Sequence, residues 1–187
     1  MAELALKVAA LTKRFGGLAA VNDVSLQVAK GTLHAVIGPN GAGKSTLIHL
    51  LSGDLSPTSG SVELNGRDIT QLAPDQRSRA GIGRSYQKTN IFPAFSVLEN
   101  CRLAAQSRDP HAFNLFRSAV SYIPITQAAH EALDAVGLQH RAHISAGFLS
   151  HGEQRQLEIA MSLATKPQVL LLDEPLAGMG AQESTKM

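Results

Sequence analysis

The sequence predicts an α/β fold in which a parallel-strand core carries an antiparallel β subdomain and a helical subdomain. Three observations point there. The apolar run 33–37 leads into a glycine-rich loop and then into a helix-like stretch at 46–51. Short strand-like segments separated by turn residues fill the chain up to Gly66. The strand-like segment 82–86 and the apolar run 169–172 flank a long stretch of helical pattern. Continuous apolar runs suit a parallel sheet buried on both faces, whereas short alternating ones suit an antiparallel sheet.

In chain order, segments 4–11, 24–28 and 61–64 read as antiparallel strands, with a break from Pro57 to Gly60 and a hairpin turn at Asn65-Gly66. The runs 33–37, 82–86 and 169–172 read as the buried core strands. Ser96, with Glu99 three residues later, forms a capping box that opens a helix to about Ala105. Segment 107–125 holds Asp109-Pro110, Phe113, Phe116, Tyr122 and Pro124 without a clear period, and reads as an insertion or loop. A helix over 126–136 is closed by Gly137, and Ser150 with Glu153 caps another that runs to about Ala164. One domain is expected over 1–187. Residues 1–87 and 165–187 form its core with the β subdomain, and 88–164 form the helical subdomain.

At 187 residues and a formal charge of +2, the chain can bury a full core and has no Lys/Arg run of the kind that grips nucleic acid. No nucleic-acid partner is expected. No apolar run approaches the roughly 20 residues that span a bilayer, and Glu3 and Lys7 interrupt the first apolar stretch, which makes a poor signal peptide. The cytoplasm is the expected location. Cys101 is the sole cysteine, which excludes an internal disulfide, and it reads as a small core residue.

The loop between the run 33–37 and the following helix is Gly38-Pro39-Asn40-Gly41-Ala42-Gly43-Lys44-Ser45-Thr46. Its glycines let the backbone bend so that several amide N–H groups face one point, and the helix adds the positive end of its dipole. Triphosphate oxygens fit that point. Lys44 reaches the outer phosphates and the Ser45 hydroxyl takes a Mg²⁺ position. The expected fold class is therefore α/β with a P-loop NTPase core.

The run 169–172 ends abruptly in Asp173-Glu174-Pro175. In a P-loop protein, a carboxylate at that strand tip holds Mg²⁺ through its water shell, and the next one polarises the water that attacks the γ-phosphate. Asp173 takes the first role and Glu174 the second. Gln87, leaving the strand run 82–86, places a neutral amide able to touch both the metal and the lytic water. A polar residue leaving a strand is also common without any such role. The segment Leu149-Ser150-His151-Gly152-Glu153-Gln154 reads equally as a capped helix start and as a second phosphate site, made by free amides, the Ser150 hydroxyl and the small Gly152. One ATP does not readily fill two such sites on one subunit, so the second is expected to serve the nucleotide of a facing subunit.

With these motifs in this order, the chain resembles an ATP-binding subunit of an ABC transporter over most of that domain. The resemblance implies a P-loop at Gly38 to Thr46, a Q-loop at Gln87, a signature at Leu149 to Gln154 and a Walker B strand ending in Asp173-Glu174. It implies that Phe15 stacks on adenine. The stretch from Arg14 to Val21 and Leu176-Ala177-Gly178-Met179 resembles the subgroup energising branched-chain amino-acid uptake, and a related urea branch. The implied cofactors are ATP and Mg²⁺, with Ser45, Gln87 and Asp173 at the metal. The implied partners are a second ATP-binding subunit, identical or related, the membrane-spanning permease subunits and, indirectly, a solute-binding protein. The implied location is peripheral, at the inner face of the cell membrane. Phe92 and Phe95, flanking Pro93, are candidate contacts for the permease or for packing inside the helical subdomain.

Departures from the family pattern set further expectations. His151 stands where glycine is usual and Glu153 where glutamine is usual. A carboxylate beside phosphate is unfavourable, so Glu153 is expected to face the helix backbone as a cap, leaving phosphate contact to Ser150 and Gly152. Gly180 sits where the D-loop commonly has Asp or Asn, and no histidine after His151 fills the switch role. The resemblance thus leads one to expect a C-terminally truncated ATPase that binds nucleotide and turns it over poorly. Two other readings stay open: a nucleotide-binding module without turnover, and a soluble ABC-type ATPase.

Overall fold

A computed structural model describes residues 3–85, 90–108 and 123–173. The chain divides into two compact units, Met1–Ile82 and Gly83–Met187.

The first unit is built on a four-stranded antiparallel sheet in the order β2-β1-β3-β4, from β1 (Leu4–Phe15), β2 (Leu18–Ala29), β3 (Ser59–Leu64) and β4 (Arg67–Asp68). Leu6 and Val8 of β1 lie opposite Val28 and Leu26 of β2 on one side and Leu64 and Val62 of β3 on the other. Burying Leu6, Leu11, Val62 and Leu64 supplies roughly 1.5–3 kcal/mol each to hold the sheet. β1 and β2 are longer than the segments 4–11 and 24–28 that the sequence suggests, because Gly16-Gly17 turns them into one extended hairpin. That ribbon bends at two positive-φ residues, Ala10 (50°) and Asp23 (51°), where the register shifts. Side chains satisfy the freed donors: Ala10 N–H donates to Ser25 Oγ at 2.9 Å and Asp23 N–H to Thr12 Oγ1 at 3.0 Å. The Asn65-Gly66 hairpin is present, with φ of 47° and 77°.

Two helices complete this unit, α1 (Lys44–Ser52) and α2 (Pro74–Ala80). The short α2, with Pro74 at its start, is not among the helices the sequence pattern marks. Arg77 on α2 is 1% exposed, its guanidinium bonded to the carbonyls of Leu50 and Leu51 at the end of α1 and of Thr70 and Leu72.

The expected core strand 33–37 is not formed. Leu33 is 96% and Ile37 93% exposed, and no described strand hydrogen-bonds to this run. An apolar strand is stable only where neighbours satisfy its backbone and cover its side chains, and among the described residues neither condition is met here.

At the start of the second unit, β5 (Ile82–Arg84) pairs directly with β6 (Val169–Leu171), and Ser85 N–H continues the ladder to the Leu171 carbonyl at 3.1 Å. Two of the segments that read as buried core strands, 82–86 and 169–172, are thus paired with each other, each strand shorter than the segment itself. Three helices pack with them into one unit: α3 (Val97–Gln106), α4 (Ile123–Ala135) and α5 (His151–Ala164). Their buried positions fall at helical spacing: Val97, Cys101 and Ala105; Ile125, Ala128, Ala129, Ala132 and Leu133; Leu157, Ala160 and Ala164. Alanines at so many of these positions let the helices approach closely. Cys101 is a core residue as expected, and burial pushes its thiol up to about 12. α4 starts three residues earlier than the sequence suggests, at Ile123. Pro124 is tolerated there because first-turn N–H groups have no intrahelical acceptor.

The connection from α4 to α5 passes through two 3₁₀ turns, Gln139–Arg141 and Ala146–Phe148. Its carbonyls take up donors left over at the start of α3: Val97 N–H donates to Ile144 at 3.0 Å and Leu98 N–H to Ala142 at 2.8 Å. The stacked pair Phe92–Phe95 is held against the same connection. The carbonyl of the intervening Pro93 accepts from Ser145 Oγ at 2.6 Å and from Gly147 N–H at 2.9 Å. Buried Asn100 fixes the other side, accepting from Phe92 N–H at 2.7 Å and donating to the carbonyls of Phe92 and Ser96.

Candidate nucleotide site

The glycine-rich loop runs into α1 as the sequence requires. Gly43 caps the helix at φ 90°, and a Cβ there would sit 2.2 Å from the Ala20 carbonyl oxygen. Only glycine fits, for steric and conformational reasons together. The first intrahelical bond runs from Leu47 N–H to the Gly43 carbonyl at 2.8 Å. The N–H groups of Lys44, Ser45 and Thr46 precede it and therefore have no acceptor within the helix. Ala42 N–H closes a turn on Pro39 at 3.2 Å, so the loop is folded on itself. The Lys44 ammonium donates to the carbonyls of Gly38 at 2.7 Å and Pro39 at 2.9 Å. A cation and a row of free amides at a helix N-terminus form an anion cradle that fits the phosphates of a nucleotide.

A second capped helix start lies in the other unit. Ser150 Oγ accepts from Glu153 N–H at 3.2 Å and Ser150 N–H donates to Glu153 Oε2 at 2.8 Å, a reciprocal capping box. The other Glu153 oxygen pairs with Arg141 at 3.1 Å. Glu153 is thus occupied by backbone and guanidinium, Gly152 is buried, and His151 is exposed. Gln154 Nε2 donates to the Leu149 carbonyl at 3.1 Å, holding the chain where it enters the helix.

Asp173 lies two residues beyond β6 and is 6% exposed. Its backbone carbonyl accepts from Arg155 Nη2 at 2.8 Å. Arg155 pairs through Nη1 with Glu158 Oε2 at 2.8 Å, the two side chains being 11% and 6% exposed. The other Glu158 oxygen accepts from Asn90 N–H at 2.8 Å. Neither Arg155 nor Glu158 was singled out from the sequence. The available signal was an opposite-charge pair three residues apart on a helix whose other face is apolar.

The site residues read from the sequence therefore fall in two groups. Gly38, Pro39, Asn40, Gly41, Ala42, Gly43, Lys44, Ser45 and Thr46 belong to the first unit, and Ser150, Gly152 and Asp173 to the second. Gln87 and Glu174 lie outside the described residues. Phe15 ends β1, is 48% exposed, and carries the Lys13 ammonium 5.3 Å from its ring centroid. No group of three or more His, Cys, Asp or Glu side chains converges among the described residues. Mg²⁺ does not require one, since it keeps several waters and takes one or two protein ligands beside phosphate.

A phosphate-cradling loop on an α/β fold defines a nucleotide-binding protein, and comparison with known proteins narrows the class. The ABC transporter family matches residues 21–177. The high-affinity branched-chain amino acid transport ATP-binding protein BraF of Pseudomonas aeruginosa is 40% identical, over 96% of this chain and 72% of its own length. LivG of Escherichia coli K12, described in the same terms, is 37% identical over 100% of this chain and 75% of its own. Among solved structures, the ADP conformation of the ATP-binding cassette MJ1267 superposes with a TM-score of 0.82 at 30% identity, covering 98% of this chain and 73% of that one. The dimeric cassette MJ0796 gives 0.79 at 27% identity, covering 97% and 78%. The chain belongs to the ABC transporter family, as one of its ATP-binding cassettes. Among the described residues no helix is long and apolar enough to cross a membrane.

Proposed function

We propose that this chain is the ATP-driven motor of an import system for branched-chain amino acids, paired with a second cassette and with membrane-spanning subunits fed by a solute-binding protein. The observation that carries the solute class is the 40% identity to BraF across 96% of the chain. In this reading Lys44 exchanges the carbonyls of Gly38 and Pro39 for phosphate oxygens, and the amides of the loop 38–46 hold the remaining phosphate charge. Phe15 stacks on the adenine ring. Ser45, Asp173 and Gln87 hold Mg²⁺, which neutralises phosphate charge when bound. Glu174 orients and polarises the attacking water. Ser150 and Gly152 serve the nucleotide of the facing cassette, while Glu153 stays on its own helix. Closure of the pair drives the membrane subunits, with the cassettes at the cytoplasmic face.

Reconstitution with the cognate membrane subunits in vesicles tests this. ATP-dependent uptake of radiolabelled leucine, abolished by Glu174→Gln, is the expected result. ATP turnover with uptake of a different solute class overturns the solute assignment. No ATP turnover in the assembled complex overturns the motor.

A further inference from the structure

α5 does more than present Ser150 at its first turn. One turn further on, Arg155 and Glu158 form an ion pair that reaches three other parts of the chain. Arg155 Nη1 is taken by Glu158 Oε2 at 2.8 Å, while Nη2 donates to the Asp173 carbonyl at 2.8 Å and reaches Ser85 Oγ at 3.5 Å. Glu158 Oε1 accepts from Asn90 N–H at 2.8 Å. The end of β6 and the residues at positions 85 and 90 are thus tied to one helix by two charged side chains.

Burying a guanidinium and a carboxylate is costly unless their hydrogen bonds are well filled. Apolar side chains of similar volume would pack here without that cost. The pair differs from them in directionality: a planar fork fixes the Asp173 carbonyl relative to Ser85, and the second carboxylate oxygen fixes Asn90.

We infer that Arg155 and Glu158 are positioning residues for the metal-side chemistry at Asp173, holding its backbone, Ser85 and Asn90 in one register set by the helix that begins at Ser150. The inference rests on the nucleotide-site reading above. It makes the register of Asp173 depend on α5, so that displacement of the Ser150 end of the helix is felt at the Asp173 backbone through Arg155, with Glu158 fixing the guanidinium.

The test uses the full chain with ATP, with Mg²⁺ and Mn²⁺ as probes. Nucleotide affinity is titrated without and with metal, Mn²⁺ affinity in the presence of ATP is read by electron paramagnetic resonance, and Tm is measured alongside. Arg155→Lys keeps the charge and loses the fork. Glu158→Gln loses the charge and keeps an acceptor for Asn90 N–H. Supporting residues around a metal site change its affinity by about 10- to 100-fold. The expected result is a loss of about 10-fold in the metal-dependent gain in ATP affinity for Arg155→Lys. ATP affinity without metal should be unchanged, because neither side chain bonds to the loop 38–46 among its described contacts.

A fall in Tm with the metal-dependent gain unchanged overturns the inference, because it assigns the pair to stability alone. If Arg155→Lys does not fold, Glu158→Gln carries the same comparison with the same deciding readout. A parent chain that gains no ATP affinity from Mg²⁺ also overturns the inference. Intact Mg²⁺-ATP binding without leucine uptake counts against the transport reading alone and leaves the comparison of variants in force.

Discussion

Arg77 Nη1 lies 2.6 Å from the carbonyl oxygen of Leu50, so a side chain from α2 closes the C-terminal end of the helix that begins at Lys44. The same nitrogen takes the Leu51 carbonyl at 2.9 Å, and Nη2 takes Thr70 at 2.6 Å. Burial pulls the guanidinium below its ordinary value, with the charge of Asp68 opposing that shift. Gly53 leaves the space this requires: a Cβ there would lie 3.0 Å from Arg77 Cδ. The far end of the phosphate-loop helix is thereby anchored by a charge that serves the carbonyls of its last turn.

Arg77→Met should therefore destabilise the protein by about 2–3 kcal/mol, since buried carbonyls lose a charged donor and gain none. Arg77→Lys should recover part of that, because one ammonium cannot reproduce a fork aimed at four carbonyls. Urea unfolding at neutral pH measures both. Equal stability of Arg77→Met and the parent would remove Arg77 from the account of how α1 is held.

Asp68 supplies a pH signature in the same unit. The Thr70 hydroxyl and then the Thr70 N–H hold its carboxyl below the ordinary 3.8; desolvation opposes them, and the nearby Arg77 charge adds the smallest lowering effect. A carboxyl depressed in the folded state contributes stability above its unfolded value and loses it as pH falls through the folded value. Asp68→Asn should thus be less stable than the parent at pH 6, with the difference closing as pH drops from about 4 towards 2. Denaturant midpoints at pH 6, 4 and 3 check the sign; a gap that widens on acidification contradicts it.

The phosphate loop allows affinity and fold to be separated. Lys44 bonds only to loop carbonyls among its described contacts, so Lys44→Ala should leave Tm nearly unchanged. It should lower ATP affinity by about 10- to 100-fold, the range for losing a charge-assisted bond. Gly43→Ala should do more. Its φ of 90° and the 2.2 Å approach to Ala20 force the loop or the β2 backbone to move, costing about 1–3 kcal/mol of stability as well as binding. Calorimetric ATP titration beside thermal unfolding distinguishes the two. Tight binding by Gly43→Ala would mean that this loop conformation is not the one that holds phosphate.

The sequence made some of this legible and hid the rest for identifiable reasons. Capping boxes at Ser96 and Ser150 were visible because their chemistry is local, a hydroxyl and a carboxylate three residues apart. The Asn65-Gly66 turn and the strands at 82–84 and 169–171 were visible for similar reasons, though the pairing of those two strands was not. The run 33–37 misled, because its pattern states that neighbours are needed without supplying them. Arg77, Arg155 and Glu158 were hidden because a charged residue on a helix reads as a solvated face. Only the fold brings carbonyls from Leu50, Thr70 or Asp173 within reach of the guanidinium. The glycine loop 38–46 leading into a helix could be read from spacing alone, whereas the anchoring of Asp173 depends on contacts that no local pattern encodes.

Glu153 gives the sharpest test of how the Ser150 helix start works. Its Oε2 accepts from Ser150 N–H at 2.8 Å and its Oε1 pairs with Arg141 at 3.1 Å, so both oxygens are used within the subunit. Glu153→Gln keeps an acceptor for the Ser150 N–H and weakens only the partly exposed ion pair, which is worth about 0–1 kcal/mol. Its stability should fall by no more than that, and nucleotide-driven pairing of cassettes should be unchanged or strengthened, because a negative charge near phosphate has gone. Ser150→Ala removes the hydroxyl that caps Glu153 N–H, costs about 1 kcal/mol of helix stability, and should weaken pairing in ATP as well. Analytical ultracentrifugation of both variants with ATP and Mg²⁺ reads the difference. A strong loss of pairing in Glu153→Gln with Tm intact would show that this carboxylate acts across the interface, and not as a cap on its own helix.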